Sequence, residues 1–315
     1  MFRSLIDQQK RLHLELTTRC TLGCPGCNRT IFADRFNRAY PKIDLDLDHL
    51  IKFFDCESGR RIESFTLCGD YGDSIYYPRL LELIKAFRDT KTFRIVTNGS
   101  HRDEKFWHNL IDLLTPADSI NFSIDGLEDY NHLYRKNADW DSIMIGLNCV
   151  SASNIPFTWN TNLFNFNYNK IDEIRAFAEG LGAKFIARKT SRFGDNKLMP
   201  PEHYISTVEL FDRRYTELVI DIEPKCFKQR SISATGQFNP CSWIAAPDTY
   251  YKTNLHRDRD LWSIYKNTFD QILDRLDSWA TEIKNHPEKA HVLCKMKCKP
   301  QQPIAIFHDD TEIHY

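Results

Sequence analysis

Apolar positions in the first 190 residues alternate between two periods. Leu12, Leu14 and Leu16 recur at every second position, as in a half-buried strand. Leu47, Leu50, Ile51 and Phe54 then recur at i, i+3, i+4 and i+7, one face of a helix. The unit repeats: a strand at 62–67, a helix on Leu80, Leu83, Ile84 and Phe87, a strand at 93–96, a helix at 103–114 and a strand at 119–124. A helix at 140–152, a strand at 157–163, a helix at 170–181 and a strand at 184–188 complete the series. Strands alternating with amphipathic helices form parallel sheets or barrels, because each crossover lays its apolar stripe back on the sheet. About six such units fall short of the eight of a closed barrel, so the expected fold is α/β, a partial, open-sided (β/α)6 TIM-like barrel.

The pattern changes after Gly194, and Pro200-Pro201 marks a break. Beyond it the sequence predicts helices at 202–219 and 262–284. The second carries a stripe of Phe269, Ile272, Leu276, Trp279 and Ile283, expected to close this C-terminal extension over the barrel. The expected division is a barrel core over 1–195 and a smaller domain over 196–315.

Composition narrows the function classes. Lys and Arg total 42 against 43 Asp and Glu, a formal net charge of -1, with 42% apolar residues and a mean hydropathy of -0.49. Neither disorder nor a strongly basic nucleic-acid binder is indicated, and no nucleic-acid partner is expected. Charge interrupts every apolar stretch of the first 20 residues, which leaves no signal-peptide core and places the protein in the cytoplasm. The uncharged window from Ser142 to Asn169 carries seven Asn, which no lipid-facing helix tolerates, so no membrane partner is expected. Ten Cys without a secretion signal point to metal ligation or redox chemistry in a reducing compartment. The 11 His include no H-E-x-x-H pair, and a hydrolytic metalloenzyme is unsupported.

Cys20, Cys24 and Cys27 stand at Cys-x3-Cys-x2-Cys in the loop after the first strand, with Gly23, Pro25 and Gly26 letting the backbone wrap closely. Three thiolates leave one iron of a 4Fe-4S cube with an open position, where metals do chemistry rather than hold structure. A zinc site using the same three Cys and a distant His or Cys is the alternative. The motif resembles the radical S-adenosylmethionine (SAM) superfamily. That resemblance implies that the open iron chelates the amino and carboxylate groups of SAM. One electron from the reduced cluster then cleaves the C5'–S bond, and a 5'-deoxyadenosyl radical abstracts hydrogen from the substrate.

The resemblance extends along the strand ends. Cys68-Gly69-Asp70-Tyr71-Gly72-Asp73-Ser74 stands where the family carries a Gly-Gly-Glu-Pro-like turn that contacts the SAM ammonium. Gly72-Asp73-Ser74 replaces Gly-Glu-Pro, and either Asp70 or Asp73 offers the carboxylate; without the resemblance this is an ordinary turn. Asn98, in Thr97-Asn98-Gly99-Ser100, and Ser123 and Asp125 after the fourth strand correspond to loops beside the ribose and adenine. Asn160 on the fifth strand and Arg188 at the end of the sixth are further candidates, for the nucleoside and the SAM carboxylate. The stretch holding Phe157, Trp159, Phe164, Phe166 and Tyr168 suits a packed core or a stacked base.

Four more Cys lie in the extension, as Cys226-x9-Gly236-x4-Cys241 and Cys294-x3-Cys298. Together they supply four soft ligands, for one cluster or a structural zinc. The spacing resembles the SPASM or shorter Twitch extension of radical SAM enzymes, which implies one auxiliary 4Fe-4S cluster. Of the remaining Cys, Cys56 and Cys149 read as small buried apolar residues. Cys68, at the barrel mouth, reads as packing or as a hydrogen-atom donor. The resemblance implies an external one-electron reductant of flavodoxin or ferredoxin type. A peptide or protein substrate leads, with a nucleotide, nucleoside or sugar as the alternative. An iron–sulfur electron carrier is the non-enzymatic reading.

Overall fold

The computed structural model describes residues 1–190, 192–193, 198–199, 201, 222–245, 250, 253–298 and 312–313. Six strands form its parallel centre: β1 (Arg11–Leu14), β2 (Ser64–Leu67), β3 (Thr92–Thr97), β4 (Ser119–Ser123), β5 (Phe157–Asn162) and β6 (Lys184–Arg188). They lie side by side in chain order, each parallel to the next. This is the open-sided α/β barrel that the alternation predicts. The boundary near 190–200 and the helix at 202–219 lie largely outside the described residues.

Register divides each strand into two faces. Phe65 lies opposite Phe93, and Phe122 opposite Trp159. These residues point to the helical layer: Phe65 packs 5.1 Å from Phe54, Phe122 5.6 Å from Trp107, and Trp159 6.4 Å from Trp140. Their neighbours in sequence must therefore face the lumen, because successive strand side chains point to opposite faces. His13 pairs with Thr66 and Thr66 with Arg94; Asn121 pairs with Thr158, and Ser123 with Asn160. The outer face is apolar and closely packed, whereas the lumen is lined largely by polar side chains.

Helices α1 (Arg3–Asp7), α2 (Asn28–Phe36), α3 (Leu47–Phe54), α4 (Leu80–Phe87), α5 (Glu104–Ile111), α6 (Trp140–Ser151) and α7 (Ile171–Gly180) flank these strands. In α3, Leu47, Leu50, Phe53 and Phe54 are buried while Ile51 is exposed, so Phe53 takes the place expected for Ile51. The uncharged window from Ser142 resolves into most of α6 and then β5. No helix among the described residues is long and apolar enough to cross a membrane.

The extension adds to the same sheet. β7 (Ser231–Ile232) pairs parallel with β1, and β8 (Phe238–Asn239) folds back on β7 through a turn at Gly236, where φ is +74°. A side chain at Gly236 would place its Cβ 2.2 Å from the Tyr265 ring, so this close approach needs glycine. β9 (Glu312–Ile313) pairs antiparallel with β6. The C-terminal helix α8 (Phe269–Asn285) starts later than 262 because Thr268 and Gln271 form a capping box there. Its apolar stripe packs on the outside of the barrel, with Phe269 5.3 Å from both Phe53 and Phe54, rather than over the mouth. Helix α9 (Val292–Lys297) follows.

Candidate active site

The chain leaves β1 through Glu15 to Thr18 and turns into the Cys20–Cys27 loop at the C-terminal end of the barrel. Asp44 fixes this exit, accepting from Thr17 Oγ1 at 2.6 Å and from Arg19 Nε and Nη2 at 2.9 and 2.8 Å. The Gly23 N–H donates to the Lys136 carbonyl at 2.9 Å. Leu22, Cys24, Tyr134 and Phe164 form a small buried apolar cluster against which Cys20 and Cys27 pack. Phe164 and Phe166 stack at 5.3 Å, so this half of the aromatic stretch encloses the cysteine loop while Phe157 and Trp159 pack into the core.

Cys20, Cys24 and Cys27 are all free thiols. Burial, with the Asp73 charge adding to it, pushes Cys20 up to about 12. Burial also raises Cys24, and the nearby Arg135 guanidinium works against that rise. Thiols held this far from ionisation become thiolate ligands only when a metal supplies the compensating charge.

Spacing bears on which metal fits. Among the described residues, neither cysteine set brings three sulfurs within 4.8 Å of one another; the trio that lies so close is Glu104, His108 and Cys149 on outer helices. One tetrahedral zinc at about 2.3 Å from each sulfur would hold its ligands roughly 4 Å apart. A wider arrangement suits a cluster that offers each sulfur a different iron. The residues present fit a 4Fe-4S cluster.

The other strand-end candidates divide into two groups. Asp73 and Asn98 sit beside the cysteines: Asp73 accepts from the Asn98 N–H and from Asn98 Nδ2, each at 2.6 Å, and Asn98 Nδ2 also lies 3.5 Å from Cys20 Sγ. Burial pushes Asp73 up to about 6, and its N–H donors restrain the rise. Gly72 brings the turn against the exit of β1, since a Cβ there would fall 1.9 Å from the Thr17 carbonyl oxygen. Gly69 is also closely placed, with a Cβ 2.6 Å from the Gly72 carbonyl oxygen. Asp70 has an exposed side chain, and its backbone carbonyl lies 4.0 Å from Cys27 Sγ. Burial with the Asp70 charge raises Cys68 to about 12, so its thiol keeps its proton at neutral pH.

Asp125 is fully buried and committed. One oxygen accepts from the Asn162 N–H at 2.6 Å and the other from Arg135 Nε at 2.6 Å. Arg188 Nε donates to Asn160 Oδ1 at 3.0 Å, and Asn160 Nδ2 donates to Asn121 Oδ1, a network across β4, β5 and β6. Ser123 lies opposite Asn160 in register.

Arg135 is the residue that sequence reasoning missed. Burial alone would lower its pKa, but Asp125 and the adjacent Cys24 hold it firmly protonated. It sits in a turn with no periodicity, and only its interval of ten residues after Asp125 ties it to the loops already singled out. A cation here compensates the charge of ligating thiolates and offers N–H donors to a carboxylate.

In the extension, Cys226, Cys294 and Cys298 are buried and Cys241 is partly buried. Burial raises Cys226 well above the usual thiol range, and Cys298, Cys241 and Cys294 all add to the rise. Burial raises Cys294 to about 12. Elsewhere, Cys56 caps a short helix through its sulfur and Cys149 is buried.

Comparison with known proteins accounts for this arrangement. SuiB from Streptococcus suis bound to S-adenosylmethionine superposes with a TM-score of 0.56 at 12% identity, over 82% of this chain and 68% of SuiB. Native anSMEcpe with bound AdoMet gives 0.59 at 15% identity, over 90% and 88%. At such identities the likeness is one of fold. No curated protein sequence matches the chain. The family model described as Radical SAM superfamily matches residues 14–178, more than half of the chain, and takes in the end of β1, its cysteine loop, the Gly72 turn and Arg135. The chain therefore belongs to the radical SAM superfamily.

Proposed function

We propose that Cys20, Cys24 and Cys27 hold a 4Fe-4S cluster that binds SAM, and that the enzyme abstracts hydrogen from a peptide or protein. The observation that carries this reading is the convergence of three thiols, Arg135 and the Asp73–Asn98 pair at the C-terminal ends of β1 to β4. Membership of the superfamily implies the cluster and SAM. With an electron from an external flavodoxin- or ferredoxin-type reductant, they supply methionine and a 5'-deoxyadenosyl radical.

The chain's own residues bind and orient. The Gly69–Asp73 turn receives the SAM ammonium, with Asp73 as the carboxylate; Arg135, held by Asp125, receives the SAM carboxylate. Asn98 and Ser123 face the nucleoside. Arg188, bonded to Asn160 on the neighbouring strand, serves the wall of the substrate cavity. Cys226, Cys241, Cys294 and Cys298 hold one auxiliary 4Fe-4S cluster of Twitch type. Support for a peptide substrate comes from fold relatives. SuiB is known bound to the precursor peptide SuiA (TM-score 0.55, 13% identity), and anSMEcpe bound to the Cp18Cys peptide (0.55, 14%).

Metal content after anaerobic reconstitution tests both clusters. The expected result is about eight irons per chain, falling to about four when Cys20, Cys24 and Cys27 are replaced by Ala, with loss of 5'-deoxyadenosine formation. About four irons together with one zinc in the wild type would reduce the C-terminal set to a structural site.

A further inference from the structure

Helices α5 and α6 pack side by side on the outer face of the sheet, and Gly146 sets how closely. A Cβ there would fall 2.7 Å from the ring of the fully buried Trp107, so the α6 backbone lies directly against α5. Glu104 and His108 stand one turn apart on α5 and share a face, with Glu104 Oε1 3.6 Å from His108 Nε2. Cys149 follows Gly146 by three residues and lies on the same side of α6. The close approach therefore brings ligand atoms from two helices together: those of Glu104, His108 and Cys149 all lie within 4.8 Å of one another. Among the described residues no other three His, Cys, Asp or Glu ligands are spaced so closely.

One carboxylate, one imidazole and one thiolate form a donor set suited to zinc. Tetrahedral zinc holds such donor atoms roughly 3.3–3.6 Å apart. Glu104 and His108 already have that spacing, and closing the gap to the sulfur from 4.8 Å or less is within reach of side-chain torsions alone. Their side chains are 74% and 61% exposed, whereas Cys149 is only 8% exposed and packs with the core, so the two mobile ligands can adjust to a fixed one. Burial raises the Cys149 thiol and the Glu104 charge adds to the rise, so the thiol gives up its proton only as a cation arrives.

We propose that Glu104, His108 and Cys149 bind one zinc ion that ties α5 to α6 on the outside of the barrel, with a solvent water as its fourth ligand. The site uses none of the cysteines of the other two sets and does not depend on the SAM chemistry proposed above. It gives Cys149 a role beyond that of a small buried apolar residue.

Metal analysis of the full, untagged chain tests the site. Anaerobically reconstituted enzyme is dialysed against micromolar free zinc, and zinc and iron are counted per chain by mass spectrometry. The expected result is about one zinc beside the irons in the wild type. His108→Ala and, separately, Cys149→Ala are expected to retain roughly a tenth of it or less with iron unchanged, and zinc should raise the melting temperature of the wild type but of neither variant. His108 is exposed, so its variant keeps the fold even where loss of the Cys149 sulfur disturbs packing. A wild type that retains no zinc overturns the proposal. Zinc that persists undiminished in either variant overturns it too, because the metal then sits on other ligands, such as the cysteines of the extension.

Discussion

Glu15 is buried where β1 meets the Gly69–Asp73 turn, and burial pushes its pKa up to about 7, with the Asp70 charge adding to the rise. The folded protein therefore keeps a proton on Glu15 between roughly pH 4.5 and 7, while the unfolded chain releases it. Stability falls as pH rises through that window, and a shift of this size corresponds to roughly 3–4 kcal/mol. Asp73, raised to about 6, acts in the same direction. Anaerobic calorimetry from pH 5 to 8 should show the melting temperature of the wild type falling, and Glu15→Gln should remove most of the slope. A variant as pH-dependent as the wild type would show that Glu15 is not the source. None of this is visible in the sequence, where Glu15 is one polar residue in an alternating strand. The cysteines were legible because their chemistry is fixed by spacing. Arg135 and Glu15 act through neighbours brought together from distant segments.

Gly72 carries more of the site than its neighbours in the turn. Its backbone lies so close to the exit of β1 that any Cβ would meet the Thr17 carbonyl, and the adjacent Asp73 N–H donates to the Arg19 carbonyl at 3.0 Å. Gly72→Ala has to push the turn away from the cysteine loop, carrying Asp73 and Asn98 with it. SAM binding to the reconstituted variant is expected to weaken at least tenfold, and wild-type affinity would show that the turn does not shape the SAM site. Strands and helices of the barrel were readable because burial on one face imposes a period. Element ends were less so, as they depend on caps such as Thr268, which sets the start of α8 well inside the predicted span. Helix α2 escaped notice for a related reason. It has no buried residue, so its sequence Asn28–Phe36 carries no apolar stripe to read.

The change of pattern after Gly194 divides the sequence into a barrel core and a smaller C-terminal part, and one sheet holds strands from both. β7 extends the barrel on the free edge of β1, and the Ala234 N–H of the following turn reaches Glu15 at 3.5 Å. Arg230, only 2% exposed, donates to the Gln9 carbonyl at 2.6 Å and reaches that of Ile6 at 3.4 Å. On the outside, the N-terminal amine and the Phe2 N–H bond Asp277 of α8, and Arg3 pairs with Asp274. The Ile6 carbonyl also accepts from the Gln9 N–H at 3.1 Å, so removing the guanidinium leaves the Gln9 carbonyl unsatisfied, which costs about 1–3 kcal/mol. Arg230→Met should therefore destabilise the protein by about 1–3 kcal/mol. Because the sheet is continuous, that loss should lower one calorimetric transition as a whole. A variant in which the extension melts first, ahead of an unshifted barrel transition, would show that the two parts are joined only at their surface.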